Sequence, residues 1–340
     1  CWRAIDGAGR DGLASEELAA AIGIHPRYAR EWLEAMATGG FLVVRDAVDA
    51  RRFALADGVQ EVLVDIDSDA YLMPLLRQVA ASTRALPALE AAYRSGGGVR
   101  WDEHDVEVRD AQGDMNRRQL RDHLSGWVVQ HLPDIAARLA AGGRVADVGT
   151  GYGWAAVGLA TAFEAATVDA YDLDEASVVL ARRNVLDAGL ADRVTVRLDG
   201  IGGIGAYDLV VMAEMLHDVP DPVGVLRAAA GSLAPGGALL VADMRVADEF
   251  SPGVDDVDDM LVERMMYGFS LLVCLPDAMA YRPTMATGTV MRDRVLKDYV
   301  AQAGLEVVEE PAIPHDTWRF WRLRATADRA GLTPDAVASA

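Results

Sequence analysis

The chain reads as an α/β protein built on a Rossmann-like, seven-stranded sheet, with a small N-terminal helical module of winged-helix pattern ahead of it. Three observations point there. From Val145 onward short apolar runs alternate with helical stretches, the mark of a parallel sheet covered by helices on both faces. The first run, Val145-Ala-Asp-Val-Gly-Thr-Gly-Tyr-Gly153, passes directly into a glycine-rich turn and then a helix. At 340 residues and 51% hydrophobic, the chain can hold one large or two ordinary domains, each with its own core.

Residues 1–65 predict the helical module. Ser15 is placed to cap a helix whose first turn carries Glu16 and Glu17, favourable at the positive end of the helix dipole. Ile22-Gly-Ile-His-Pro26 makes a turn with Pro26 as a first helical residue. The next helix turns Trp32, Leu33 and Met36 to a core and stops at Gly39-Gly40. Phe41–Val44 and Arg52–Leu55 complete the wing. A DNA reader would present a basic second helix. Here Glu31 and Glu34 offset Arg27 and Arg30, and Asp46 and Asp49 accompany Arg45, Arg51 and Arg52 in the wing, so a structural and dimerising role is expected.

Residues 66–140 read as a helical linker that covers a pocket, broken at Pro74, Pro87 and Gly96-Gly-Gly98. Trp101 either covers that pocket or anchors the loop. Helices are expected over 114–122 and 124–139, the second stopped by Gly142-Gly143. Strands are expected at 144–148, 167–171, 194–198, 207–213, 237–243, 305–309 and 318–324, with helices over 154–163 and 175–188. The tail after Ala325 is expected to be loosely held.

The glycine turn alone is a weak signal, but two further acids follow it. Ala166-Thr-Val-Asp-Ala-Tyr-Asp-Leu-Asp174 places Asp172 where a carboxylate can accept from ribose hydroxyls, and Arg193-Val-Thr-Val-Arg-Leu-Asp199 again ends on an acid. No Lys-Ser/Thr follows the loop, which argues against a triphosphate site. The third glycine comes one position early for a dinucleotide fingerprint. In this order of motifs the chain resembles class I S-adenosylmethionine-dependent methyltransferases, over residues 141–325 as the domain itself. The resemblance implies S-adenosylmethionine as cofactor and S-adenosylhomocysteine as product. It assigns Asp147, Gly149, Thr150, Gly151 and Gly153 to the methionine side, Asp172 and Leu173 to ribose, Asp199 and Gly200 to adenine, and Met212 to the same cleft.

The fourth strand delivers Glu214-Met-Leu-His-Asp-Val-Pro-Asp221 to the carboxyl edge of the sheet, where open parallel sheets bind ligands. This L-H-D, with Leu233-Ala-Pro-Gly-Gly237 and a strand ending at Asp243, is similar to small-molecule O-methyltransferases that carry a winged-helix dimerisation domain. That likeness makes His217 the general base. Imidazole titrates near neutral pH and can take a proton from a phenol or an acidic N–H. Asp218 either orients the ring or caps a helix, and Glu214 is expected to approach cofactor or acceptor. Val219 stands where plant-like relatives have tryptophan.

The long segment after the fifth strand starts with Asp255-Asp256 and Asp258-Asp259 and becomes an apolar helix over 260–275, rich in methionine. Met266 and Tyr267 there, with His315 and Trp318 near the last strand, are candidates for the wall of an acceptor pocket. The expected acceptor is small and aromatic, methylated on oxygen or else on an indole-type carbon or nitrogen. A winged-helix regulator that binds S-adenosylmethionine as a ligand is the rival reading.

The net charge of -20, from 52 acids against 32 bases, disfavours nonspecific attraction to nucleic acid or anionic membrane. Cys1 and Cys274 lie far apart with no C-x-x-C or Cys/His cluster, so neither a disulfide framework nor a metal site is expected. No window approaches a membrane span, and no start resembling a signal peptide is present, which makes a cytoplasmic location the default expectation; a homodimer is what the resemblance implies.

Overall fold

The computed structural model of the chain describes residues 1–45, 51–202, 206–250, 252 and 257–326. Asp46 and Asp49 of the wing, the acids Asp255 and Asp256, and the tail from residue 327 lie outside the described residues. The chain divides into two compact units, Cys1–Gln78 and Val79–Ala340.

In the first unit, helices Ser15–Ile22 and Pro26–Thr38 pack beside a two-stranded antiparallel wing, β1 (Leu42–Arg45) and β2 (Arg52–Leu55). Ile5, Leu18, Leu33 and Phe53 form its buried centre. Ser15 is not the cap. It is the first helical residue, and Glu17 reaches back to accept from the Ala14 N–H at 2.9 Å, which satisfies the same terminus from inside the helix. The helix arginines pair with the acids expected, whereas the wing arginines pair with glutamates distant in sequence. Arg27 meets Glu31, Arg30 and Arg51 meet Glu34 at 3.1 and 2.9 Å, and Arg52 meets Glu17 at 2.9 Å.

The second unit holds a seven-stranded sheet of β3 (Arg144–Val148), β4 (Thr167–Asp172), β5 (Val194–Leu198), β6 (Tyr207–Ala213), β7 (Leu233–Met244), β8 (Leu305–Glu309) and β9 (Trp318–Ala325). Their spatial order is β5-β4-β3-β6-β7-β9-β8. Strands β3 to β7 pair in parallel, while β9 runs antiparallel to both of its neighbours. The stretch between β8 and β9 contains no helix, and without a crossover a chain can return only in the opposite direction.

Strand periodicity decides what each face carries. Val145, Leu209, Val211, Leu240 and Phe320 point to one apolar cluster, shared with helices Leu124–His131, Pro133–Ala140, Trp154–Ala162 and Glu175–Asp187. Ala146, Val210, Met212, Leu239, Val241 and Trp321 point to the other, under helices Pro222–Ser232 and Asp293–Gln302.

The helices ahead of β3 differ from those expected. One begins at Val106 rather than Asp114, capped by Asp105 accepting from the Glu107 N–H at 2.9 Å, and runs to Arg118. A π turn, Gln119–His123, joins it to Leu124–His131. Pro133, which has no N–H to donate, then starts a separate helix. The apolar helix after β7 spans Val257–Phe269 and continues through a π turn, Ser270–Cys274, into Leu275–Met279. Among the described residues no helix is long and apolar enough to cross a membrane.

Helix Trp154–Ala162 lies so close to the first π turn that a Cβ on Gly158 would sit 2.5 Å from the main-chain oxygens of both Leu120 and Arg121. Backbone carbonyls cannot swing aside as a flexible side chain can. Gly158→Ala is therefore expected to lower unfolding stability by about 1–3 kcal/mol, the usual scale of overpacking. The denaturant midpoint measures it, and an unchanged midpoint would show that this contact yields.

Candidate active site

The carboxyl ends of β3, β4, β5 and β6 converge on one edge of the sheet. Gly149, Gly151 and Gly153 all have positive φ, at 69, 52 and 80°. A Cβ on Gly149 would also lie 2.8 Å from Met215, so glycine is required there on two grounds. The Gly151 N–H donates to Asp172 at 2.7 Å, and the Asp174 N–H donates to the other oxygen of Asp172 at 2.9 Å. Burial raises the Asp172 carboxyl above its ordinary range. Leu173 beside it is 78% exposed. Asp199 is exposed, its main-chain N–H donating to the Asp172 carbonyl at 3.0 Å and its carboxylate accepting from Gly200 at 2.8 Å.

Three of the expected cofactor residues point elsewhere. Asp147 shares the face of Val145 and is only 2% exposed. Its carboxylate accepts from Thr150 Oγ1 at 2.5 Å and from the Ala156 N–H at 3.2 Å, stapling the loop to the first turn of the next helix. Thr150 is thereby turned inward as well. Met212 lies fully buried in the second apolar cluster, because even-numbered β6 residues face away from that loop.

Helix Val106–Arg118 covers this edge, a feature that reading the helix from Asp114 missed. Tyr152 donates its hydroxyl to Asp110, and Trp154 Nε1 donates to the Gly113 carbonyl at 3.0 Å. Gln112 Nε2 donates to Glu214 at 2.8 Å. Asp105 followed by Val106 and Val108 was the available signal, since an aspartate before an apolar-periodic run marks a helix start.

Glu214 sits just after β6 at φ 51°, uncommon for a residue with a Cβ. It is clamped rather than free. Trp318 Nε1 donates to one carboxylate oxygen at 2.6 Å, Gln112 holds the other, and the Glu214 N–H donates to Ala242 at 2.9 Å. Burial raises its carboxyl, against the hydrogen bonds from Trp318 and Asn116.

His217 is 2% exposed. Its Nδ1 lies 2.6 Å from Asp243 Oδ1, so Asp243, at the end of β7, orients the ring. Asp218 Oδ1 lies 3.3 Å from Nε2. Burial pushes the imidazole down, but the charges of Asp218 and Asp243 outweigh it and hold His217 well above its ordinary value. The Met285 and Gly288 N–H groups donate to the carbonyls of Pro220 and His217 at 2.9 and 3.1 Å, clipping the loop in place. Cys274 and Asp277 of the inserted helix adjoin it. Burial pushes the Cys274 thiol up to about 12 and the Asp277 carboxyl up to about 7. Asp277 also accepts from the Trp101 N–H at 2.8 Å, so Trp101 anchors its loop there.

The remaining wall candidates separate. Met266 is buried, while the Tyr267 hydroxyl accepts from Arg292 at 3.1 Å. His315 stacks on Trp318 with ring centroids 4.4 Å apart, and its Nδ1 accepts from the Thr317 and Trp318 N–H groups. Burial lowers His315 to about 4, so it stands neutral.

A family model described as a methyltransferase domain matches residues 117–310, more than half of the chain. The chain belongs to the methyltransferase-domain family. An Rv2258c-like winged HTH domain matches residues 7–64. The ubiquinone biosynthesis O-methyltransferase of Xanthomonas axonopodis pv. citri is 37% identical over 119 residues, 33% of this chain and 48% of that protein. That of Marinobacter nauticus is 38% identical over 109 residues, 30% of this chain and 44% of that protein. The chain thus spans about half the length of the curated relatives it matches.

Among solved structures, mitomycin 7-O-methyltransferase aligns with a TM-score of 0.68 at 22% identity, covering 92% of this chain and 88% of that one. Human N-acetylserotonin methyltransferase in complex with S-adenosylmethionine aligns at 0.64 and 16%, covering 95% and 90%. An O-methyltransferase from neocarzinostatin biosynthesis, in complex with S-adenosylhomocysteine and 1,4-dihydroxy-2-naphthoic acid, aligns at 0.59 and 23%, covering 95% and 93%. At such identities the likeness concerns the fold.

Asp147 supplies a test of the loop staple. Burial raises its folded pKa to about 6, above the ~3.9 of an unfolded carboxyl. The stabilisation it contributes is therefore complete below the unfolded value and is lost as pH rises through the folded one, by about 3 kcal/mol. Asp147→Asn keeps the two accepted hydrogen bonds without the charge. Its unfolding midpoint should gain on the parent's between pH 4 and 6, whereas parallel curves would mean that Asp147 ionises freely.

Proposed function

We propose that this enzyme transfers the methyl group of S-adenosylmethionine to a small aromatic acceptor, with His217 as general base. The observation that carries the reading is the Asp243–His217 pair, which fixes Nδ1 and makes Nε2, facing Asp218 at 3.3 Å, the nitrogen that would take the acceptor's proton. The acceptor oxygen attacks the methyl carbon, the carbon–sulfur bond breaks, and S-adenosylhomocysteine leaves while the acceptor proton passes to Nε2. Gly149, Gly151, Asp172, Leu173, Asp199 and Gly200 would hold the cofactor. Glu214 supports the loop instead of touching the reacting atoms. Oxygen is the preferred accepting atom, supported by the O-methyltransferase names of the relatives and by the dihydroxynaphthoic acid in one fold neighbour. An indole-type carbon or nitrogen would use the same histidine.

A charged imidazole cannot accept a proton, and the charges of Asp218 and Asp243 raise His217 above its ordinary value, favouring the charged ring. S-adenosylhomocysteine release should therefore rise with pH, with an inflection above 6.5, as the ring becomes neutral. Asp218→Asn should move that inflection down, and His217→Ala should lower turnover at least about a hundredfold. An unshifted inflection in Asp218→Asn, or full activity in His217→Ala, would remove the base assignment.

The winged helix favours a second reading, a regulator that binds the cofactor as a ligand. Paired arginines on that unit speak against it. Fluorescence anisotropy at low salt should show no binding to duplex DNA, and salt-sensitive binding would reverse the choice. A homodimer belongs to the enzyme reading, supported by Leu72 and Leu76, about half exposed, just before and in the first turn of helix Met73–Ser82. Sedimentation velocity on the same sample should give the mass of two chains.

A further inference from the structure

We propose that His217, Asp218 and Cys274 form a binding site for a thiophilic divalent cation of the zinc type, placed on the nitrogen that the methyl-transfer reading reserves for the acceptor proton. The three side chains offer one ligand atom each, all within 4.8 Å of one another. No other His, Cys, Asp or Glu group of this kind occurs among the described residues. They arrive from two segments, the loop after β6 and the inserted helix, which is why no metal spacing is visible along the chain.

Four features make this a ligand set and not a chance meeting. The donors are an imidazole, a carboxylate and a thiol, the set that zinc prefers. Asp218 Oδ1 lies 3.3 Å from His217 Nε2. In a zinc tetrahedron, metal–ligand bonds of about 2.0–2.3 Å put neighbouring donors about 3.3–3.7 Å apart, so that edge is already at its final length. Second, His217 Nδ1 is bound to Asp243 at 2.6 Å, and Asp243 is 1% exposed. Metal-bound histidines nearly always give their other nitrogen to such a carboxylate, which fixes the tautomer and turns the free nitrogen to the ion.

Third, Asp218 Oδ1 is shielded from solvent and faces only the other two members of the set, His217 Nε2 at 3.3 Å and Cys274, so the three donor atoms converge on one another. Fourth, Cys274 ends a π turn, Ser270–Cys274, and such turns within α-helices are frequent at functional sites. Three protein ligands leave a fourth position open on zinc. Binding forms metal–sulfur and metal–nitrogen bonds and releases to solvent the thiol proton of Cys274 and the Nε2 proton of a charged His217. Because the ion occupies Nε2, a loaded site would silence the proposed base.

The test uses cobalt(II) alone, added to metal-free full-length protein without donor or acceptor, so its outcome does not depend on the transferase reading. Cys1→Ser serves as background, because Cys1 is an exposed terminal thiol. One equivalent of cobalt should raise near-ultraviolet sulfur-to-cobalt absorption, which zinc then bleaches. Cys274→Ser in that background should lose the band while keeping its far-ultraviolet circular dichroism. Asp243→Asn should weaken cobalt about 10–100-fold, the usual effect of removing a carboxylate behind a histidine ligand. Absence of the band in the background protein, or its survival in Cys274→Ser, overturns the site.

Discussion

The Asp243–His217 hydrogen bond is the interaction on which the arrangement of the edge depends. It joins the loop after β6 to the last turn of β7, two strands that are already parallel neighbours. Asp243 cannot move to meet the ring. The Met244 N–H donates to the same oxygen at 2.7 Å, and β9 is paired across the same stretch of β7. The imidazole is consequently the partner that adapts, and its orientation is set by the sheet instead of by its own loop.

Glu214 shows how the sheet edge, the covering helix and the last strand are made into one piece. Positive φ at a residue with a Cβ costs of order 1–3 kcal/mol and persists only where its surroundings over-determine it. Here Trp318 comes from β9, Gln112 from the covering helix and the main-chain partner Ala242 from β7. The bend sends the chain away from β6 and toward His217. A carboxylate that first suggests chemistry is better understood as the joint that aims the neighbouring loop.

The strands were legible because both faces of the sheet are buried and each strand is a short apolar run between turn residues. All seven of the main sheet fall where expected, with β7 extended back to Leu233. The reversed direction of β9 was hidden, since direction depends on the connection and not on the strand's own residues. Glycines and acids marked the loop ends, but they did not say which way a side chain points. Asp147 and Met212 show the difference: strand parity turns one under a helix and the other into the core. Cys274 was unreadable for another reason, because its neighbours are distant in sequence and meet only when the inserted helix folds back.

The acids around His217 act in two directions. Burial raises Glu214, Asp218 and Asp277, and the His217 charge pulls the first two back toward ionisation. The same coupling favours the protonated ring, which works against its use as a base. In the proposed transfer, however, positive charge leaves the sulfonium as the methyl group departs and reappears on the imidazole that has taken the acceptor proton. Asp218 and Asp243 stabilise that later state. A site arranged for the product's charge must therefore hold back its base beforehand, and the balance between the two is set by how many of those carboxyls are ionised before the acceptor arrives.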